Sequence, residues 1–438
     1  MTTGKGSVTV VGGGLAGCEA ALQLADRGFD VTLYEMRPEV TTGAHTTGAL
    51  AELVCSNSLK SEGEETASGV LKKELHALGC RLLAAAEECR VPSGSALAVD
   101  RELFSAKVER EISARSNIKV VRREITDFPP APAIIATGPL TSGALARKIA
   151  EKTGSERLYF YDAVAPVVDA DSVDMTKAYF GGRYGKGGDD YLNLPMNKTE
   201  YEAFYEALVN ARTVVLKDFE RKELFEGCMP IEELASRGKD TMRFGPLRPV
   251  GLRNPVTGES AYAVVQLRRE NAAGNCFNIV GFQTNLTFGE QKRVFGLIPA
   301  LAHAEFLRYG VMHRNTYIKS PETITYGFRL KGDEAYYVAG QLSGVEGYVE
   351  SIMSGLIAAV NLARELDGEA PAVPPVTTVT GALSRYVVEC EGDFQPMNAN
   401  FGLLPFAEGV GKKERKKYYH DRAVRDIMQF ASDTRFLP

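Results

Sequence analysis

Residues 7–17 read SVTVVGGGLAG, and residues 30–35 read DVTLYE. The first stretch is a β-branched run that gives way to glycines and then to Leu15–Arg27, where Ala16, Ala20 and Leu24 share one face before Gly28. That order predicts strand, glycine turn and helix, with Asp30–Tyr34 as the next strand. Gly12 and Gly14 suit a tight turn and a close approach of backbone to a pyrophosphate, and Gly17 lets the helix lie against the sheet. With Gly13, Leu15 and Ala16 they bring a helix N-terminus, rich in free N–H groups, to face phosphate oxygens. Glu35 ends the second strand, where a carboxylate can accept hydrogen bonds from ribose hydroxyls and disfavours a 2′-phosphate.

Working outward, Asn117–Arg122 and Ala133–Ala136 read as further strands, the second running into Thr137-Gly138-Pro139. The polar stretch 41–62 is long for a structureless connection, which favours a functional loop. Residues 65–89 follow a helical pattern. Near the far end, Tyr336–Ala339 reads as a strand, and Gly340–Tyr348 as a glycine-rich turn carrying Gln341 and Gly347. Val349–Arg364 then follows as a small-residue helix. A helix N-terminus returning to the glycine turn suits a flavin, whose ring gains charge on reduction. The only other glycine cluster, Gly181–Gly188, has neither the strand nor the helix. One full fingerprint therefore points to FAD, with no second dinucleotide domain. The expected architecture is α/β: a Rossmann-like FAD-binding domain of the glutathione-reductase type, with an inserted α+β domain. The flavin domain is placed at 1–190 and 319–438, and the inserted substrate domain at 191–318.

The chain has 438 residues, 44% hydrophobic and 24% charged, which suits a packed globular protein of two or three domains. No apolar run approaches the roughly 18–20 residues needed to cross a membrane. Met1–Gly6 lacks the apolar region of a signal peptide, so a cytoplasmic protein is expected. A net charge of −5 gives no global attraction for nucleic acid, so a polyanion must meet a local basic patch. Lys412, Lys413, Arg415, Lys416 and Lys417 supply one on an expected helix, Lys412–Phe430, where Tyr418 and Tyr419 could stack on bases. The other reading is a solvated Lys-rich helix.

Seven cysteines, with no CxxC pair, argue against a zinc ribbon and a dithiol redox centre, and no metal site is expected. Cys228 lies in GCMPIEELASRG (227–238), where Pro230 suits the first helical position and Gly238 the C-terminal cap. A thiol just before a helix has its thiolate favoured by the dipole, although an inert thiol fits equally well. Cys55, among Ser and Asn in ELVCSNSLKSE (52–62), stands between a functional and a buried structural role. Cys18, Cys80, Cys89, Cys276 and Cys390 read as structural. His313 and the run GFQTNLTFGEQ (281–291) are polar groups around glycines, fit either to line a pocket or to satisfy a turn.

Taken together, VVGGGLAGCEAA (10–21), LYEMRP (33–38), ELVCSNSLKSE (52–62), ALAVDRE (96–102), ATGPLTS (136–142) and GCMPIEELASRG (227–238) resemble one family. So do GFQTNLTFGEQKRV (281–294), YGVMHRNTYI (309–318) and AGQLSGVEGYVES (339–351). This is the folate- and FAD-dependent tRNA uracil-5-methyltransferases, and the likeness spans essentially the whole chain. The resemblance implies that NAD(P)H reduces FAD and that carbon passes from 5,10-methylenetetrahydrofolate to C5 of uridine 54 in the tRNA T loop. It further implies that Cys228 attacks uracil C6 and that Cys55 is a second functional cysteine. A histidine, His313 or else His45, would stack on the folate, Tyr348 would contact the ring, and the basic tail would grip the T-arm. No obligatory protein partner is expected. Two alternatives stay open: oxidation or reduction of a small molecule at the flavin, and methylation of a ribosomal RNA uridine.

Overall fold

The computed structural model describes residues 5–154, 158–185, 188–214, 229–332, 334–392 and 394–437, with 158–162 and 313–314 as backbone only. Its first sheet has five parallel strands in the order Tyr336–Val338, Ala133–Ile135, Ser7–Val11, Asp30–Glu35 and Ile118–Arg122. Val10 sits between Leu33 and Ile134 in register, so the glycine turn leaves the central strand at the sheet's C-terminal edge. That edge is where α/β sheets bind ligands. Helix Leu15–Asp26 is buried along nearly its whole length against Tyr348–Leu366. Close approach of these helices depends on Gly355, where a Cβ would lie 2.2 Å from the carbonyl oxygen of Ala16.

A second sheet has six antiparallel strands, ordered Tyr179–Phe180, Tyr191–Met196, Ala263–Arg269, Cys276–Ile279, Val167–Asp169 and Phe306–Arg308. Helices Lys198–Val209 and Phe288–Phe295 cover it, burying Tyr201, Phe204, Val294 and Phe295 in a core separate from that of the parallel sheet. The observed class is the α/β fold with an α+β insertion. This sheet begins ahead of residue 191: Tyr191–Met196 is an interior strand, preceded by Val167–Asp169 and Tyr179–Phe180. Strands of three and two residues are too short to show a period of two.

The chain passes between the two sheets along an antiparallel ribbon, Leu158–Ala163 with Met312–Tyr317. Residues 65–89 form two helices, Ala67–Ala77 and Arg81–Glu88, because Gly79 takes a left-handed φ of 73° between them. The basic tail helix runs Arg415–Asp433, leaving Lys412 and Lys413 in the turn before it. No helix among the described residues is long and apolar enough to cross a membrane.

Candidate functional site

The glycine turn opens a cleft of about 970 Å³ at the end of the parallel sheet. Gly12 has a φ of 105°, and a Cβ there would lie 2.4 Å from the carbonyl oxygen of Ala136; one at Gly17 would lie 1.8 Å from that of Gly12. These two glycines hold the turn together. Gly14 differs, since a Cβ there would meet nothing within 4 Å. It faces the cleft at the start of the helix, whose first intrahelical bond runs from Cys18 N–H to the carbonyl of Gly14. The amides of Leu15–Gly17 thus precede the intrahelical ladder. An open glycine and a helix N-terminus form a cradle that a pyrophosphate fits. Thr137, Gly138, Gly340, Gln341 and Tyr348 complete the wall. Gly13, Gly17 and Gly347 stand behind the lining: Gly13 binds Glu35, and a Cβ on Gly347 would collide with Glu350 and Lys60.

Glu35 lines the cleft, yet its carboxylate is already engaged. It accepts from Gly13 N–H at 2.8 Å, Arg37 N–H at 2.9 Å and Arg37 Nε at 2.8 Å. Burial raises its carboxyl, but the hydrogen bonds and charge of Arg37 outweigh that and hold it below the ordinary carboxylate range. Arg37, 2% exposed, also reaches Glu52 at 2.8 Å, and Glu52 accepts from the backbone and hydroxyls of Thr46 and Thr47. The long polar loop is therefore fastened to the cofactor-side carboxylate through a buried arginine. Sequence reasoning missed Arg37 and Glu52, although Arg37 lies only two residues beyond the acidic one.

The loop brings Val54 to the cleft wall and sets Cys55 against Tyr348, another wall residue. The Cys55 N–H donates to the Tyr348 phenolic oxygen at 2.6 Å, and its carbonyl accepts from Arg101 at 3.0 Å and Arg308 at 3.3 Å. Its thiol has a long contact, 3.8 Å, with the carbonyl of Ala163. Ala163 pairs with Met312 on the ribbon, and His313 pairs with Asp162, so the His313 backbone is one residue from that contact. The side chain of His313 lies outside the described residues. His45 lines the cleft, with Nδ1 bonded to Thr42 Oγ1 at 2.7 Å.

The glucose inhibited division protein A family model matches residues 7–370. A Natranaerobius thermophilus protein named methylenetetrahydrofolate–tRNA-(uracil-5-)-methyltransferase TrmFO is 54% identical, covering 97% of this chain and 98% of its own. Proteins of the same name from Moorella thermoacetica and Bacillus subtilis are 55% and 53% identical, over 95% and 96% of this chain and 96% and 98% of theirs. The chain belongs to the TrmFO family. Among solved structures, Aquifex aeolicus GidA superposes with a TM-score of 0.71 at 14% identity, covering 99% of this chain and 74% of that one. At that identity the likeness speaks for the fold alone.

Two features expected of a TrmFO family member remain to be placed. Cys228 lies outside the described residues, which resume at Met229. The following helix is Ile231–Ser236, with Pro230 as its N-cap rather than its first residue. The run 281–291 seats that helix: Ile231 N–H donates to the Gln283 carbonyl at 2.7 Å, and Glu232 accepts from Asn285 N–H and Thr284 Oγ1. Burial pushes Glu232 up to about 7 against those bonds. Gln291 is fully occupied with Leu286 and Gly310, so on these contacts the run reads as a satisfied turn.

On the tail, Lys412, Lys413, Lys416 and Lys417 are exposed, Lys417 pairing with Asp421 at 2.8 Å. Arg415 lies over the Phe406 ring at 4.5 Å. The two tyrosines part company: Tyr418 is exposed, while Tyr419 is buried in the core beneath the helix. Base stacking by both is ruled out, because adjacent helical positions point about 100° apart. Of the cysteines read as structural, Cys18, Cys80 and Cys89 are buried, and burial pushes the Cys18 thiol up.

Proposed function

We propose that this protein methylates C5 of uridine 54 in the T loop of tRNA, in the cytoplasm, using 5,10-methylenetetrahydrofolate as carbon donor and NAD(P)H as reductant. The observation that carries the reading is the tie between Cys55 and Tyr348, a wall residue of the glycine-turn cleft, in a chain more than half identical to proteins of that name. FAD, when bound, supplies the capacity to take electrons from NAD(P)H and to relay carbon from the folate.

The chain's own residues divide the remaining work. Gly12, Gly14 and the amides of Leu15–Gly17 hold the pyrophosphate, and Glu35, fixed by Arg37, meets the ribose. Cys228 adds to uracil C6, which turns C5 into a carbon nucleophile, and leaves again when the C5 proton is lost. Cys55, held against the cleft-wall residue Tyr348, acts as the second thiol. His313 or His45 stacks on the folate, and Tyr348 contacts the flavin ring. The target base must leave its stack to reach this depth, and Lys412, Lys413, Arg415, Lys416 and Lys417 hold the surrounding phosphates. The flavin unit is formed by the parallel-sheet side of the chain, within 1–166 and 319–438, and the unit at 191–318, joined by the strands Val167–Asp169 and Tyr179–Phe180 that precede it, presents the RNA.

The test incubates purified protein with unmodified tRNA, methylenetetrahydrofolate and NADPH, and maps 5-methyluridine by nuclease digestion and mass spectrometry. Methylation at position 54 that disappears in Cys228→Ala, while the variant stays yellow, is the expected result. Normal methylation by that variant overturns the nucleophile assignment. NADPH turnover with a small acceptor and no modified tRNA overturns the reaction.

A further inference from the structure

The joint that holds Cys55 contains more positive charge than it can use. Arg101, Arg268 and Arg308 converge there around one carboxylate, Glu270. Glu270 is committed to Arg101, accepting from Nε at 2.7 Å and Nη2 at 3.2 Å. Arg268 turns to the Asn57 side chain at 2.9 Å. Arg308 has no carboxylate partner among the described residues. Its Nη2 meets only the Cys55 carbonyl, and its buried Nε has no hydrogen-bond partner. Arg308 is half-buried, and a guanidinium taken partly out of water loses hydration that only a matched partner restores. Burial first, and then the neighbouring charge of Arg101, hold Arg308 below the ordinary arginine range. Its one bond to the Cys55 carbonyl leaves most of the guanidinium's donors unused, at the end of an edge strand of the second sheet.

We propose that Arg308, backed by Arg101, forms an oxyanion-binding site beside Cys55 and Tyr348 that receives an anionic oxygen group of a ligand entering the cleft. A guanidinium offers planar paired donors matched to carboxylate and phosphate. The site rests on the proposed function only for its two candidate sources, the glutamate carboxylate of a folate and a phosphate of the RNA. Its anion preference exists in the protein whatever the reaction.

The experiment uses the yellow holoenzyme without tRNA, folate or turnover. Cys55 is alkylated in parallel with iodoacetate, which is anionic, and iodoacetamide, which is neutral, and its peptide is quantified by mass spectrometry. The iodoacetate-to-iodoacetamide rate ratio at Cys55 is expected to exceed that of N-acetylcysteine amide by roughly threefold or more. Arg308→Gln should return the ratio to the reference value, and Arg308→Lys should keep most of the excess. Protection by p-aminobenzoyl-glutamate identifies the carboxylate source, and protection by inorganic phosphate the RNA source. A wild-type ratio no higher than the reference overturns the site, as does an excess that survives Arg308→Gln. If Arg308→Gln does not fold, the wild-type ratio and the protection arms decide alone.

Discussion

The N–H of Cys55 and the phenolic oxygen of Tyr348 are 2.6 Å apart in space and 293 residues apart in sequence. This bond joins the polar loop after the second strand to the first turn of the helix that returns to the cleft. With the two arginines on its carbonyl, the Cys55 backbone is held by Tyr348, by Arg101 at the start of helix Arg101–Ser113, and by Arg308 at the end of the second sheet's edge strand. The thiol is thereby placed by its backbone, without a strong hydrogen bond of its own.

Tyr348→Phe removes the acceptor and keeps the ring. The Cys55 N–H then loses its partner in a half-buried position, which costs about 1–3 kcal/mol. Amide exchange at Cys55 should quicken about tenfold or more in the flavin-bound protein, with the core strands unaffected. Methylation should fall while FAD absorption is kept. Unchanged exchange at Cys55 would show that the hydroxyl does not hold the loop.

Gly14→Ala and Gly17→Ala should fail in different ways. The new Cβ at Gly14 meets no protein atom and its φ of −79° suits alanine, so the apoprotein should fold with an unchanged melting temperature. The methyl group occupies the space a pyrophosphate needs, so FAD affinity should drop by about tenfold or more, equal to about 1.4 kcal/mol. At Gly17 the Cβ would lie 1.8 Å from the Gly12 carbonyl, so the turn itself must deform and stability should fall with cofactor binding. Equal flavin occupancy in wild type and Gly14→Ala would place the cofactor elsewhere.

These contrasts mark what was legible in the sequence. The glycine turn, Glu35 and the return helix were readable because each depends on residues close in sequence and on a fixed spacing. The Arg37–Glu35 pair was within reach, two residues apart. The Cys55–Tyr348 bond and the arginines around it were not, since they come from four distant elements and depend on how two sheets meet. The burial of Tyr419 was legible and overlooked: Tyr419, Ala423, Ile427 and Phe430 fall on one helical face, and all four are buried. The reading of 65–89 as one helical stretch ignored Gly79, whose left-handed conformation is a helix-ending signal. The opening strands of the second sheet, at 167–180, are too short for any periodicity to show.

Replacing Lys412, Lys413 and Lys416 with Ala should weaken tRNA binding without altering the melting temperature, since all three are exposed and outside the core. The salt dependence should flatten as well, by roughly 0.7–0.9 in the slope of log K against log salt for each phosphate that is no longer neutralised. Tyr418→Ala should reduce binding alone, and Tyr419→Ala should lower stability by about 3–5 kcal/mol as a core aromatic truncation. Filter binding across a salt series, paired with thermal melts, separates these. A triple variant with the wild-type slope would remove the tail from the RNA interface.

Glu74 sets a pH dependence of stability. It is fully buried and accepts from the N–H groups of Val379 and Thr380 and from Thr380 Oγ1, capping the helix Val379–Glu389. Burial raises its carboxyl and those three bonds only partly offset it, leaving it at about 7 against an ordinary 4.5. Between those values the folded protein keeps a proton that the unfolded chain has released. Stability from this residue is therefore full below the ordinary value, falls as pH rises through the window, and is level above it. Glu74→Gln carries no titrating proton. It will be less stable than wild type at pH 5, because an amide cannot accept all three bonds, but the gap should narrow by about 1–3 kcal/mol by pH 7.5. Glu19 and Glu232, also raised by burial, are present in both proteins and drop out of the difference. Urea midpoints at the two pH values measure it, and a gap that stays constant would mean that Glu74 remains ionised throughout.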